Sequence, residues 1–124
     1  MARVLVVDDE RDVRDLVVRR LRADGHEVVA AHDAGSALHA VDRHGRPDAA
    51  VLDVDLPGMD GIALLAALRA DQPALPAIFL TVLWSGEDID RMRAADGLYV
   101  PKPFTATTLR AALREVLPPL GTAG

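Results

Sequence analysis

The sequence predicts an α/β fold: a doubly wound, five-stranded parallel (βα)5 sheet with helices on both faces. Three observations predict it. Five short apolar runs alternate strictly with five helical patterns, and such alternation builds a parallel sheet. The runs are continuously apolar, as in strands buried on both faces. Right-handed crossovers between parallel strands then distribute the helices over the two faces.

The elements follow in order. "RVLVV", residues 3–7, is a β-branched strand. Val13, Leu16, Val17 and Leu21 share one face of a helix that Gly25 stops. "GHEVVAA" continues into the second strand. Asp33 caps a second helix, with Ala34, Ala37, Leu38 and Val41 at helical spacing. "GRPDAAVLD" is a turn and then a third strand ending at Asp53. Leu64, Leu65 and Leu68 mark a third helix, stopped before Pro73, and "PAIFLT" is the fourth strand. "SGEDIDRMRAA" is the weakest helix: Ser85, with Asp88 three residues on, looks like its cap, and its apolar anchors are little more than Ile89 and Met92. "LYV", residues 98–100, is a very short fifth strand. Thr105 caps the last helix, with Leu109, Ala112, Leu113, Val116 and Leu117 on one stripe. Residues 1–118 read as one domain and 119–124 as a flexible tail or linker stub.

Composition narrows the function. A chain of 124 residues buries enough surface to form a core without staples. With no cysteine, disulfides and thiolate metal sites are excluded. The net charge of −5 argues against a nucleic-acid surface, which is normally a basic patch. Arg11, Arg14, Arg19, Arg20 and Arg22 read as the solvated face of the first helix. His26, His32, His39 and His44 show no ligand spacing with carboxylates and read as surface or half-buried polar residues. "MARVLVVDDE" turns acidic too early for a signal peptide. No apolar run approaches the roughly 20 residues that span a bilayer. The expectation is a cytoplasmic protein without membrane contacts.

Sites in doubly wound sheets lie beyond the carboxyl ends of the strands. Here those ends carry chemistry. Strand one ends in Asp8-Asp9, strand three in Asp53, strand four in Thr81, and strand five runs into Lys102-Pro103. Lys102 is the one lysine of the chain. Three carboxylates in one pocket repel, and one is driven towards protonation unless a counter-charge is present. Lys102 can neutralise one of them. A hard divalent cation with oxygen ligands, such as Mg²⁺, would neutralise the rest. "VLDVDLPGMDG", residues 51–61, leaves Asp53 open as metal ligand, nucleophile or accident.

At this point the motifs resemble the receiver domain of two-component response regulators. The resemblance spans Val4 to about Leu117 and rests on "VVDDE", "LDVDLPGMDG", the Thr ending strand four, and "KPF". It implies a flavodoxin-like strand order, 2-1-3-4-5. It implies that Asp53 is the phosphoacceptor, taking a phosphoryl group from a phosphohistidine of a sensor histidine kinase or phosphotransfer protein. Asp9, the Asp53 side chain and the backbone carbonyl of Asp55 would bind Mg²⁺, with Asp8 holding the metal's water shell. Lys102 and Thr81 would contact phosphoryl oxygens, which suits a reaction run by positioning and charge stabilisation. The Lys102–Pro103 bond would be cis. Thr81 and Tyr99 would form the switch, shifting the face of helix four, strand five and helix five towards a downstream protein target or a fused output domain absent from this chain. Such a domain assists its own phosphotransfer and dephosphorylation and is not a turnover enzyme.

The sequence also departs from the family. Val82 follows Thr81 where Ala or Gly is usual, and would narrow access to Asp53. Leu98 replaces an acidic residue that some DNA-binding regulators use to dimerise, and Pro101 stiffens the approach to Lys102. Trp84 is either packing filler or an exposed contact near the top of the helix four face. The Asp55 side chain is expected to tune the lifetime of the phosphate. Two rival functions remain: a binding module that keeps the fold without phosphate, and a phosphatase of the haloacid-dehalogenase type, whose nucleophile loop "DVD" resembles. Pro57 stands where that second family normally has Thr or Val, and it leaves Asp8-Asp9 unexplained.

Overall fold

The computed structural model describes residues 2–82 and 86–117. Its elements are β1 (Arg3–Val7), α1 (Arg11–Ala23), β2 (Glu27–Ala31), α2 (Ala34–His44), β3 (Ala49–Asp53), α3 (Gly61–Arg69), β4 (Ala77–Thr81), α4 (Gly86–Ala94), β5 (Leu98–Pro101) and α5 (Ala106–Val116). The strands form one sheet in the order β2-β1-β3-β4-β5, and every pairing is parallel. This is the doubly wound, flavodoxin-like order expected. β5 extends one residue beyond expectation, because Pro101 still stands in register with Thr81. A proline is tolerated there because β5 is an edge strand.

Alternation along the strands divides the core into two layers. Leu5, Val7, Ala50, Leu52, Ala77 and Phe79 face α2, α3 and α4. Val4, Val6, Ala49, Val51, Ile78 and Leu80 face α1 and α5. β3 and β4 are buried along their whole length, as central strands of such a sheet must be. α4 buries only Met92, with Ile89 half-buried, whereas α3 buries five residues. The expected Asp33 and Thr105 caps are in place, accepting from the backbone N–H groups of Ser36 and Thr108. The expected Ser85 cap, Trp84 and the tail at 119–124 lie outside the described residues.

Two glycines fix where chain segments approach each other. A Cβ on Gly61 would lie 2.2 Å from the backbone oxygen of Asp53, so α3 starts directly against the end of β3. A Cβ on Gly97 would lie 2.3 Å from Cε2 of Phe79. The glycine of the "ADGLY" turn therefore matches the large ring that β4 places beneath it.

Candidate functional site

The site forms where β1, β3, β4 and β5 end on the same edge of the sheet. β1 delivers Asp8 with a fully buried side chain. Its backbone N–H extends the ladder to Ala31 at 3.2 Å. Its Oδ1 accepts the Glu10 N–H at 2.8 Å, which turns the chain outwards and leaves Asp9 and Glu10 exposed. The Arg14 guanidinium donates to the Asp8 carbonyl at 2.9 Å and braces the same turn. Arg14 is therefore half-buried and engaged, in contrast to the solvated role expected for it.

β3 delivers Asp53, which is 3% exposed. The Asp55 N–H donates to its Oδ1 at 3.2 Å. The Asp55 side chain itself faces solvent. β4 delivers Thr81, buried, whose carbonyl accepts the Lys102 N–H at 2.9 Å. That bond holds the start of the Lys102–Pro103 segment against β4. The Lys102–Pro103 peptide bond is cis.

The Lys102 ammonium sits among three carboxylates. It lies 3.0 Å from Asp8 Oδ2, 3.2 Å from Glu10 Oε1 and 3.4 Å from Asp53 Oδ1. The Asp8 contact is close enough for an ion pair but is not aligned as a hydrogen bond, so Asp8 Oδ2 is buried without a hydrogen-bond partner. Burial pushes the Asp53 carboxyl up to about 7, the Asp8 charge adds to the rise, and Lys102 only partly offsets it. Burial works against the charge on Lys102, but the close contact with Asp8 and the charges of Asp53 and Asp8 leave its pKa raised. One ammonium thus serves more negative charge than it can neutralise.

The donor set fits a hard divalent cation. Asp8, Asp9 and Asp53 offer it carboxylate oxygens, and the Glu10 carboxylate, which accepts from Lys102, completes a cluster whose oxygens all lie within 4.8 Å of one another. Two of these residues are buried and two face solvent, so an ion could enter from one side. The Asp8 oxygen that lacks a hydrogen bond is the kind of buried acceptor that an ion or its water would satisfy. Glu10 was not singled out from the sequence, although it stands in the "VVDDE" motif.

Tyr99 lies apart from this edge. It pairs in register with Phe79, two residues before Thr81 on the same face of the sheet. It is half-buried against the layer that holds Ile89 and Met92 of α4. A second connection, also unforeseen, links the acceptor loop to α4. Asp60 caps α3 through the Ala63 N–H at 2.8 Å, and its other oxygen accepts from Arg91 of α4 at 2.8 Å. Val82 is 55% exposed, and Leu98 is half-buried against the layer that includes α5.

With this geometry in place, the comparisons agree. The model of the response regulator receiver domain matches residues 4–114, and the chain belongs to that family. Receiver domains are signalling modules of two-component systems. They receive phosphate from histidine kinases, generally use Mg²⁺ at an acidic pocket, and do not turn over external substrates. The chain is 42% identical over 115 residues to the probable transcriptional regulatory protein TcrX of Mycobacterium tuberculosis, covering 92% of this chain and 49% of that protein. It is 40% identical over 116 residues to the response regulator MprA of Mycobacterium avium, covering 93% of this chain and 50% of that protein. It spans about half the length of these relatives. Among solved structures, the chemotaxis protein CheY4 of Vibrio cholerae matches with a TM-score of 0.87 at 33% identity, over 94% of this chain and 99% of that one. Among the described residues, no helix is long and apolar enough to cross a membrane.

Proposed function

We propose that this chain is a phosphorylation-dependent switch, with Asp53 as its phosphoacceptor. The observation that carries the reading is a nearly buried carboxylate at the end of β3, within 3.4 Å of the chain's one lysine and clustered with Asp8 and Asp9. Asp9, the Asp53 side chain and the Asp55 carbonyl would hold Mg²⁺, and Asp8 would hold its water shell. The bound ion supplies positive charge against the acceptor and the incoming phosphoryl oxygens. An Oδ of ionised Asp53 attacks the phosphorus of a phosphohistidine. The P–N bond breaks, the histidine leaves with the electron pair, and an acyl phosphate remains on Asp53. Lys102 and the Thr81 hydroxyl take up phosphoryl oxygens, stabilising charge that is spread over the transferring group.

The new group adds about −1.5 to −2 charges at the strand edge. Thr81 moves towards it, and Tyr99 follows on the same face of the sheet. α4 responds because Met92 is its one buried residue among those described. The face built from α4, β5 and α5 then engages a downstream protein or a fused output domain. By analogy with the full-length relatives, that output controls transcription. The domain itself makes no nucleic-acid contact and works in the cytoplasm. Residues 1–118 form the switch, with 119–124 as tail or linker. The exposed Asp55 carboxylate beside the acceptor tunes phosphate lifetime, and Asp55→Asn is expected to change the hydrolysis rate of the acyl phosphate.

The test is incubation with acetyl phosphate and Mg²⁺, read by intact mass. A phosphoryl adduct is expected on the wild type. It should be absent from Asp53→Asn and absent when a chelator is present. An adduct that survives in Asp53→Asn would move the acceptor elsewhere.

A further inference from the structure

The Lys102 ammonium is already occupied. Of its three carboxylate partners, Asp8 and Asp53 are buried and belong to the metal and acceptor set. Glu10 is different. It is exposed, it comes from the turn after β1, and its Oε1 accepts a hydrogen bond from Nζ on the solvent side at 3.2 Å. Across 92 positions of sequence, this contact ties the β1–α1 turn to the segment after β5. Nothing else fixes the Glu10 side chain among the described contacts, so it can leave by rotation. The Lys102 side chain, 8% exposed, cannot follow it into solvent without giving up its buried partners.

We propose that Glu10 is a displaceable anion that holds the phosphoryl-binding position of Lys102 in the resting protein. An incoming phosphoryl oxygen must take the ammonium from the Glu10 carboxylate. The contact therefore weakens retention of the phosphoryl group and favours the resting state. Glu10 acts through Lys102 and is a positioning residue, and the inference rests on the acceptor reading of Asp53 given above. The expected size follows from the worth of such a contact. A single ion pair with one exposed partner changes an affinity by about three- to fivefold.

The test compares wild type with Glu10→Gln, using two readouts. Lys102 is the only lysine, so side-chain ¹⁵N labelling of lysine gives one signal that needs no assignment. In the metal-free protein, Glu10→Gln should shift that signal. An unshifted signal means the contact does not form in solution and overturns the proposal. The second readout is calorimetric binding of Mg²⁺ alone, followed by beryllofluoride at saturating Mg²⁺. Glu10→Gln should bind beryllofluoride about three- to fivefold more tightly, with Mg²⁺ affinity unchanged within about twofold. Unchanged or weaker beryllofluoride binding overturns the proposal. A parallel loss of Mg²⁺ affinity also overturns it, because Glu10 would then be a metal ligand. If neither protein binds beryllofluoride, the acceptor reading itself fails, and the lysine signal still reports whether the contact exists.

Discussion

Arg69 and Lys102 are both half-buried cations that tie one element to several others, at opposite ends of the sheet. Arg69, at the end of α3, donates only to backbone carbonyls. It reaches Leu75 through Nε at 3.0 Å and Nη2 at 2.8 Å, Ala95 through Nη1, and Asp96 at 3.4 Å. These are neutral partners in fixed positions, at the entrances to β4 and β5. Lys102, beyond the exit of β5, meets only carboxylates through its ammonium, and they compete for it. A planar guanidinium matched to fixed carbonyls makes a clamp. A point charge with surplus anions around it makes a site whose partners can exchange. The amino-terminal edge of the sheet is built to stay, and the carboxyl-terminal edge is built to be rearranged by charge.

The largest effect is expected where the surplus charge is left alone. Lys102→Gln removes the counter-charge of two buried carboxylates and should destabilise the metal-free protein by about 3 kcal/mol at pH 8. Mg²⁺ should restore most of this, because it supplies the missing charge. Arg69→Met strips the carbonyls of Leu75, Ala95 and Asp96, most of them part-buried, of their donor and should cost about 2 kcal/mol. Mg²⁺ should not restore that loss. Urea denaturation with and without Mg²⁺ measures both. Equal Mg²⁺ rescue of the two variants would break the contrast between clamp and switch.

The same surplus gives a pH dependence with a definite sign. Asp53 is raised from 3.8 to about 7 in the folded protein, so the fold binds its proton more tightly than the unfolded chain does. Stability of the metal-free protein is therefore greatest below the unfolded value and falls as pH rises through about 7. Asp53→Asn removes the ionisation and should raise stability at pH 8 by on the order of 2 kcal/mol. At pH 4 wild type and variant should nearly coincide. Thermal unfolding at the two pH values gives the comparison, and a variant less stable at pH 8 would contradict the charge assignment.

How much of this was legible in the sequence depends on the kind of interaction. All ten elements could be read because continuous apolar strands and helical spacing leave a linear pattern, and Asp33 and Thr105 are caps of local chemistry. The residues at strand ends were legible because the topology alone sends Asp8, Asp9, Asp53, Thr81 and Lys102 to one edge. The long-range polar contacts were not. Arg14 looks like any other arginine of a charged helix until its guanidinium meets the Asp8 carbonyl. Asp60 and Arg91 stand 31 residues apart and carry no shared motif. Glu10 stands within the "VVDDE" motif yet shows no role there, because its partner lies 92 positions away. Side-chain reach across a fold has no period, and only the folded geometry reveals it.

The smallest expected effect tests the fixed edge by packing. Asp96 and Gly97 form the turn between α4 and β5, and Arg69 holds the carbonyls of Ala95 and Asp96 there. Gly97 lies so close to Phe79 that an added Cβ would stand 2.3 Å from Cε2 and 2.8 Å from Cδ2 of the ring. Phe79 is fully buried in the middle of β4, so the ring has little freedom to withdraw. Gly97→Ala should then cost about 1–2 kcal/mol through overpacking. Phe79→Leu alone should cost a similar amount or more by leaving a cavity. The double variant should be less damaging than the sum, because the smaller side chain makes room for the new methyl group. A double-mutant cycle read from urea midpoints gives the coupling directly. Tyr99 is the register partner of Phe79, so the same cycle can be repeated on the acetyl phosphate reaction. If the amino-terminal edge is only a clamp, the coupling appears in stability while the rate of adduct formation at Asp53 stays unchanged. A matching change in that rate would mean that the ring packing under Gly97 reaches the switch through Tyr99, and the separation of the two edges would have to be given up.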